Sequence, residues 1–340
     1  MKRVCFMQSL QPQRRKSISY AKYGYLFILP FFLVYFFFML YPLINTFVLS
    51  FFGNGNANAD SMVGLQNFQY ILVGGSRPAK AIHDQFVNAM KNTVILWFGN
   101  FIPQIILSLL LAVWFTDAKL KIKGQGFFKV VMYMPNIITA TSVCALFLAL
   151  FGNTQYGAIN STLLKAGIIS DAIPFVTGET SSRVIVMFIQ TWMWFGNTMI
   201  LLMSGIMGIN PSLFEAASID GATSTQTFFR ITLPVLRPIF IYVLITSMIG
   251  GLQMFDIPYL FHEDPRTVRP SLETVAVFIY KNFHASDPNY GYSAAASVIL
   301  FFITSLLGSV TFAMNSSSVD KKKKKINRQV EKTRKQLGGF

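Results

Sequence analysis

The chain has 340 residues, of which 53% are hydrophobic, 15% aromatic and only 13% charged, with a net charge of +15. An ordinary soluble domain carries about 25% charged residues; this depletion, with a mean hydropathy of +0.48, excludes one and points to a polytopic membrane protein. Two cysteines, Cys5 and Cys144, exclude a disulfide framework, a thiolate metal site and a redox pair.

In chain order, a basic tail over 1–22 carries Lys2, Arg3, Arg14, Arg15, Lys16 and Lys22. The apolar run that follows, Tyr25 to Phe47, exceeds the core of about 7–15 residues of a cleavable signal and is long enough to cross a bilayer. Five further runs have this property, so six spans are expected at about 25–47, 93–115, 128–151, 184–208, 237–258 and 291–314. The fold class read from them is all-α: six transmembrane helices in a domain over 23–318, with a cytoplasmic helical loop between spans four and five. Pro30, Pro42, Pro103, Pro135, Gly196, Gly205, Gly250 and Gly251 fall inside the spans, where neighbouring helices re-satisfy the backbone. The external loops carry turn signals at Gly53-Asn54-Gly55-Asn56, Gly74-Gly75, Asp264-Pro265 and Asp287-Pro288 and are too short to be domains. The tail 319–340, with its run Lys321 to Lys325, is expected to be solvated and disordered.

Lysine and arginine set the orientation. The two tails, the loop 116–129 (Lys119, Lys121, Lys123, Lys129) and the loop 209–237 (Arg230, Arg237) hold most of them. The other three loops hold Arg77, Lys80, Lys91, Lys165, Arg183, Arg266, Arg269 and Lys281. The positive-inside rule therefore puts both termini and the 209–237 loop in the cytoplasm, and the basic charge is accounted for by topology and anionic membrane lipid. No basic, aromatic-studded soluble domain is present, so nucleic acid is not an expected partner.

Enzyme chemistry is missing. No Gly-x-x-x-x-Gly-Lys-Ser/Thr segment occurs, and Gly74 to Lys80 only echoes one. His83, His262 and His284 fall in external loops without metal spacing and are read as solvated. What remains is polar groups inside spans: Gln104, Asn136, Gln190, Asn197, Gln253 and Asp256, which are expensive at membrane depth and face the bundle or an aqueous path.

One stretch stands apart, Asn210 to Pro234. Asn210 suits a helix cap, Pro211 the first helical position, and Gly221 a left-handed close. Its form, Glu215-Ala216-Ala217-x-x-x-Gly221, then Ile231-x-Leu233-Pro234, resembles the EAA motif of binding-protein-dependent ABC importer permeases. Asp220-Gly221-Ala222 and Leu233-Pro234-Val235-Leu236-Arg237-Pro238 resemble the maltose-type, carbohydrate-uptake branch. So do Val63-Gly64-Leu65-Gln66-Asn67-Phe68, Asn88 to Thr93, Met134-Pro135, Trp192 with Gly196 and Asn197, and Tyr280 with Gly291-Tyr292-Ser293-Ala294-Ala295. The long basic N-terminus is similar to the maltose permease F-like and glycerol-phosphate permease A-like subunits.

The resemblance implies a permease subunit that takes up a sugar or oligosaccharide handed over by an extracytoplasmic binding protein. It implies a heterodimer with a second homologous permease and two copies of a cytoplasmic ATPase, in a bacterial inner or plasma membrane. This chain then binds no cofactor itself; ATP and Mg belong to the partner ATPase. Leu213, Phe214, Glu215, Ala216, Ala217, Asp220 and Gly221 would form the coupling helix docked on that ATPase, with Leu213 and Phe214 filling an apolar notch. The sugar path would pass Thr139, Gln190, Trp194, Ser247, Gly251 and Gln253, whose amide, hydroxyl and aromatic groups suit a pyranose. From the residues alone, a stand-alone secondary transporter or channel for a polar solute, or a membrane scaffold, remain alternatives that would not require the 210–234 loop.

Overall fold

The computed structural model describes residues 21–53, 61–117, 120, 122–262, 269–286 and 288–336, with side chains given to Ala313 apart from residues 21, 22 and 78. The N-terminal tail therefore lies outside the described residues. The described residues fall into two units, divided between Val48 and Leu49. The first unit is a single apolar rod, α1 (Ala21–Tyr35), a π-helical turn Phe36–Leu40 and α2 (Tyr41–Leu49).

In the second unit the elements are α3 (Gln66–Leu72), α4 (Arg77–Thr116), α5 (Gln125–Tyr133), α6 (Ala140–Phe151), α7 (Ala158–Lys165), α8 (Glu179–Met207), α9 (Pro211–Ile219), α10 (Ser224–Thr227), α11 (Leu233–Leu252), α12 (Asp256–Leu260), α13 (Val275–Phe283) and α14 (Tyr290–Gln336). Five helical segments of the chain are long and apolar enough to cross a membrane, and the pair around residue 138 adds a sixth if counted as one crossing. The described residues contain no strand beyond an isolated bridge, Phe52 with Met62. The all-α reading holds.

The helices that carry the crossings depart from the expected spans in four places, while the sixth crossing itself falls at Tyr290–Ala313 as expected. The second starts at Arg77 rather than 93, because Ala79, Phe86 and Ala89 on its early turns are buried and Phe86 packs edge-on against Phe278 at 5.7 Å. The third is not one rod. A 3-10 turn at Met134–Ile137 and extended Ile138 separate α5 from α6, which meet at 94°. Thr139 caps the new helix by accepting the Ser142 amide. The fifth is interrupted after Leu252 and resumes as α12, reaching Leu260 against an expected end at 258. Pro258 has no N–H for the Met254 carbonyl, which instead accepts the Thr274 hydroxyl at 2.6 Å. The sixth is overtaken by α14, which runs as helix through Gln336; at 47 residues it is about 70 Å long, more than a bilayer with its headgroups. The tail to Gln336 is thus helical, not disordered as expected.

Proline also explains the two π-helical turns. Phe36–Leu40 ends two residues before Pro42, and Phe228–Thr232 two residues before Pro234. In each case the carbonyl four residues back, on Phe38 or Arg230, sits inside the widened turn, which relieves the ring clash without breaking the helix.

The core sits between α4 and α8, which run side by side in the same direction. Arg183 bonds Asn92, Thr191 bonds the Asn100 carbonyl and Gln104 bonds Thr198, so residue numbers rise together on both. Gly196 lets α5 lie across α8, since a Cβ there would collide with the Met132 carbonyl. Gly251 likewise admits the Trp97 indole, which stacks on Phe101 at 5.7 Å.

Candidate functional site

Three helices present small or polar residues at helical spacing toward one space. Trp97, Asn100 and Gln104 come from α4; Gln190, Trp194, Asn197 and Thr198 from α8; Tyr242, Thr246, Ser247, Gly250 and Gly251 from α11. The break after α11 adds Gln253 and Phe255, and α12 adds Asp256. Together they bound a cavity of about 520 Å³. The break in the fifth crossing puts five consecutive residues, Gln253 to Ile257, on the lining, which a continuous helix would spread around its axis.

Some of the polar lining is spent on the fold. Gln104 donates to the Thr198 hydroxyl at 2.8 Å, Thr246 bonds its own helix, and the Trp97 indole N–H reaches Ser247 Oγ at 3.4 Å. The side-chain amides of Asn100, Gln190, Asn197 and Gln253 have no hydrogen-bond partner among the described residues. Gln190 and Asn100 are buried nonetheless, so their free donors and acceptors look only into the cavity. Two tryptophans flank these amides. Among the described residues the lining holds one charge, Asp256, and no lysine or arginine.

Of the sequence-predicted path residues, Gln190, Trp194, Ser247, Gly251 and Gln253 line this cavity. Thr139 does not; its hydroxyl is engaged with Ser142 at the start of α6, while its neighbour Ala140 touches the lining. Gly251 serves close packing against Trp97 as well. Sequence reasoning missed Trp97, Asn100, Tyr242 and Thr246. The signal was available as helical spacing: Trp97, Asn100 and Gln104, and Tyr242, Thr246 and Gly250, repeat every three or four residues.

A second feature lies at the far end of α8, beyond Met207. Asn210 accepts the Ser212 amide at 3.1 Å and Pro211 opens α9. Gly221 closes it at φ +70, with the Ala222 amide reaching back to the Ala217 carbonyl at 2.9 Å. Thr223 and Gln226 then form a reciprocal capping box that starts α10. This pins the orientation of α9. Ala217 is 8% exposed and Phe214 half-buried, whereas Leu213 is 44% and Ile219 86% exposed, with Glu215, Ala216, Asp220 and Gly221 exposed too. Leu213 and Phe214 therefore do not share one notch: Phe214 turns inward with Ala217, and Ile219, passed over in the sequence, is the most exposed large side chain on the helix.

The opposite end of α4 and α8 carries a polar knot. Asn92 donates to the carbonyls of Pro270 and Glu273 at 2.6 and 3.1 Å and accepts from Arg183 at 2.8 Å. Arg183 also reaches the Ser271 carbonyl and Glu179. The Thr93 hydroxyl accepts the Val275 amide, and Glu273 pairs with Lys281 at 2.7 Å. A related node binds Asn67 to the carbonyls of Ser50 and Phe52 under Gly291. The histidines are not simply solvated. His83 Nδ1 lies 2.9 Å from the Ile71 carbonyl, His284 stacks on Tyr280, and both ring nitrogens of His262 are buried. No group of three metal-ligating side chains converges among the described residues.

Comparison with known proteins agrees with this architecture. The chain is 30% identical to the lactose transport system permease protein LacF of Rhizobium radiobacter, over 85% of this chain and 92% of that protein. It is 30% identical to the arabinooligosaccharides transport system permease protein AraP of Bacillus subtilis, over 89% and 92%. It is 29% identical to the sn-glycerol-3-phosphate transport system permease protein UgpA of Agrobacterium fabrum, over 75% and 80%. Its fold matches a chain of a bacterial ABC transporter that imports the acidic polysaccharide alginate, with a TM-score of 0.73 and 23% identity over 86% of this chain and 94% of that one. The family of binding-protein-dependent transport system inner membrane components matches residues 92–321, spanning the cavity and the α9 loop alike, and the chain belongs to it as a multi-pass membrane permease component.

Proposed function

We propose that this permease takes up a sugar or oligosaccharide released into the cavity by an extracytoplasmic binding protein. The observation that carries the reading is the wall of unpartnered amides on Asn100, Gln190, Asn197 and Gln253, set between Trp97 and Trp194. Amides exchange hydrogen bonds with hydroxyls, and indole faces cover pyranose C–H patches. The relatives named for lactose and arabinooligosaccharides support it. Thr139 acts by positioning the head of α6 rather than by contact.

The chain works as one half of a heterodimer with a second homologous permease, which closes the open side of the cavity. No nucleotide site is expected in it, so ATP and Mg are bound by two copies of a cytoplasmic ATPase, and α9 is the element that meets one of them. Leu213, Glu215, Ala216, Asp220 and Ile219 form its outer surface, while Phe214, Ala217 and Gly221 hold it in place. Both termini lie in the cytoplasm of a bacterial cell, in keeping with the lysine and arginine distribution.

Reconstitution tests this. Proteoliposomes holding the permease pair and the ATPase, given the binding protein and internal ATP, accumulate a labelled oligosaccharide. Omitting any component stops accumulation. ATP-independent flux through this chain alone would overturn the reading in favour of a stand-alone transporter or channel.

A further inference from the structure

The cavity has a charge pattern as well as a shape. Its described lining combines four free amides, several hydroxyls, two tryptophans and one acidic side chain, Asp256. That carboxylate is exposed to the cavity and takes no part in the ion pairs of Arg183 with Glu179 and Lys281 with Glu273. It makes no hydrogen bond among the described residues. Arg183 and Arg269 are committed to carbonyls in and beside the polar knot. The position of Asp256 is fixed rather than incidental. The break after Leu252 and the short helix ending at Leu260 hold it, and buried Ile257 and Pro258 next to it anchor the backbone.

We propose that Asp256 is a specificity-determining residue that makes this cavity selective for uncharged saccharides and against acidic or phosphorylated ones. The inference rests on the saccharide reading above and narrows it. A carboxylate accepts two or more hydroxyl hydrogen bonds and so adds to recognition of a neutral sugar. Toward a uronate or a phosphate it offers only repulsion, with no lysine or arginine on the described wall to offset it. Like charges confined in a cavity of this size, at an effective dielectric constant of about 20, weaken binding at least about tenfold. The relatives fall on both sides of this line, since one is named for lactose and another for glycerol 3-phosphate. The lining places this chain on the neutral side.

The test uses the purified complex of both permeases and the ATPase in lipid nanodiscs, without binding protein, so that only the cavity selects. Two probes share one trisaccharide backbone and differ in charge: trigalacturonic acid and its fully methyl-esterified form. Binding is read by equilibrium dialysis and by fluorescence of the cavity tryptophans. The expected result is that the ester binds at least about tenfold tighter than the acid. In Asp256→Asn the ratio falls to about threefold or less, through a gain for the acid. Equal binding of acid and ester to the unaltered complex would overturn the proposal, as would an unchanged ratio in Asp256→Asn. Loss of the second permease from the Asp256→Asn complex, with the ratio preserved, would also overturn it and assign Asp256 to subunit pairing. If neither these probes nor a panel of neutral and acidic oligosaccharides bind at millimolar concentration, the saccharide reading itself fails and the proposal falls with it.

Discussion

The two ends of the α4–α8 pair use motif residues in opposite ways. At one end Asn88, Asn92 and Thr93 are all bonded inward, to Pro270, Glu273, Arg183 and Val275, and two of the three are fully buried. At the other, Leu213, Glu215, Ala216, Asp220 and Ile219 are exposed on a helix whose own geometry is settled by an Asn cap, a left-handed glycine and a capping box. Both stretches resemble the same family, yet the first is explained by this chain alone and the second is not. In the proposed complex, that outward face is the one that meets the ATPase.

The largest effect therefore belongs to the α9 end. Glu215→Lys reverses an exposed charge, and Gly221→Pro demands φ near −65° where the chain has +70. Each should reduce ATP-driven uptake to background while the protein remains inserted at normal levels, as seen by membrane blotting beside transport. Uptake within twofold of normal for Glu215→Lys would show that this face meets no partner.

The knot comes next. Asn92→Ala removes two donors and one acceptor at once, leaving buried carbonyls and the Arg183 guanidinium short of partners. A loss of about 2–4 kcal/mol is expected, read as a fall in the unfolding midpoint of the detergent-solubilised complex. Asn92→Ala with an unshifted midpoint but lost transport would make the two ends alike and dissolve the contrast.

Within α9 the contrast can be drawn on a single helix. Ile219→Ala should leave stability within about 0.5 kcal/mol and loosen ATPase association about tenfold, because an exposed side chain contributes only when covered. Phe214→Ala should do the reverse, costing about 1–2 kcal/mol of stability through its half-buried ring and changing association little. Pull-down and thermal unfolding on the same pair of variants separate the outcomes.

These cases show what was legible. Length of apolar runs gave the crossings, since a bilayer needs about 20 residues and nothing else in the chain competes with that requirement. Helix breaks were not legible. Pro30 and Pro103 sit inside continuous helices, while Pro135 lies in a 3-10 turn and Pro258 just past the break after Leu252, where the distant Thr274 hydroxyl takes up the Met254 carbonyl. The path residues Gln190, Trp194, Ser247, Gly251 and Gln253 converge because polar groups in a span face inward. Trp97 was passed over because an aromatic in a span is ordinarily packing, and here it is packing against Gly251 and cavity wall together. The inward turn of Phe214 leaves no periodic signature in a helix of nine residues.

The smallest effect concerns the ion pair between Glu273 and Lys281 at the edge of the knot. Glu273 is 7% exposed and pairs with Lys281, whose side chain is 41% exposed. Lys281→Met keeps the stem and removes the charge. If the knot is held by its buried amide and hydroxyl bonds, this change costs at most about 1 kcal/mol, since a half-exposed partner gains little from pairing. Glu273 then turns to water on the side Lys281 vacates, and its backbone carbonyl keeps the Asn92 bond. A fall in stability as large as that of Asn92→Ala would mean that the Glu273 carboxylate is stranded without lysine. The knot would then be an electrostatic device, sensitive to salt, and not the hydrogen-bonded clamp that separates it in kind from α9.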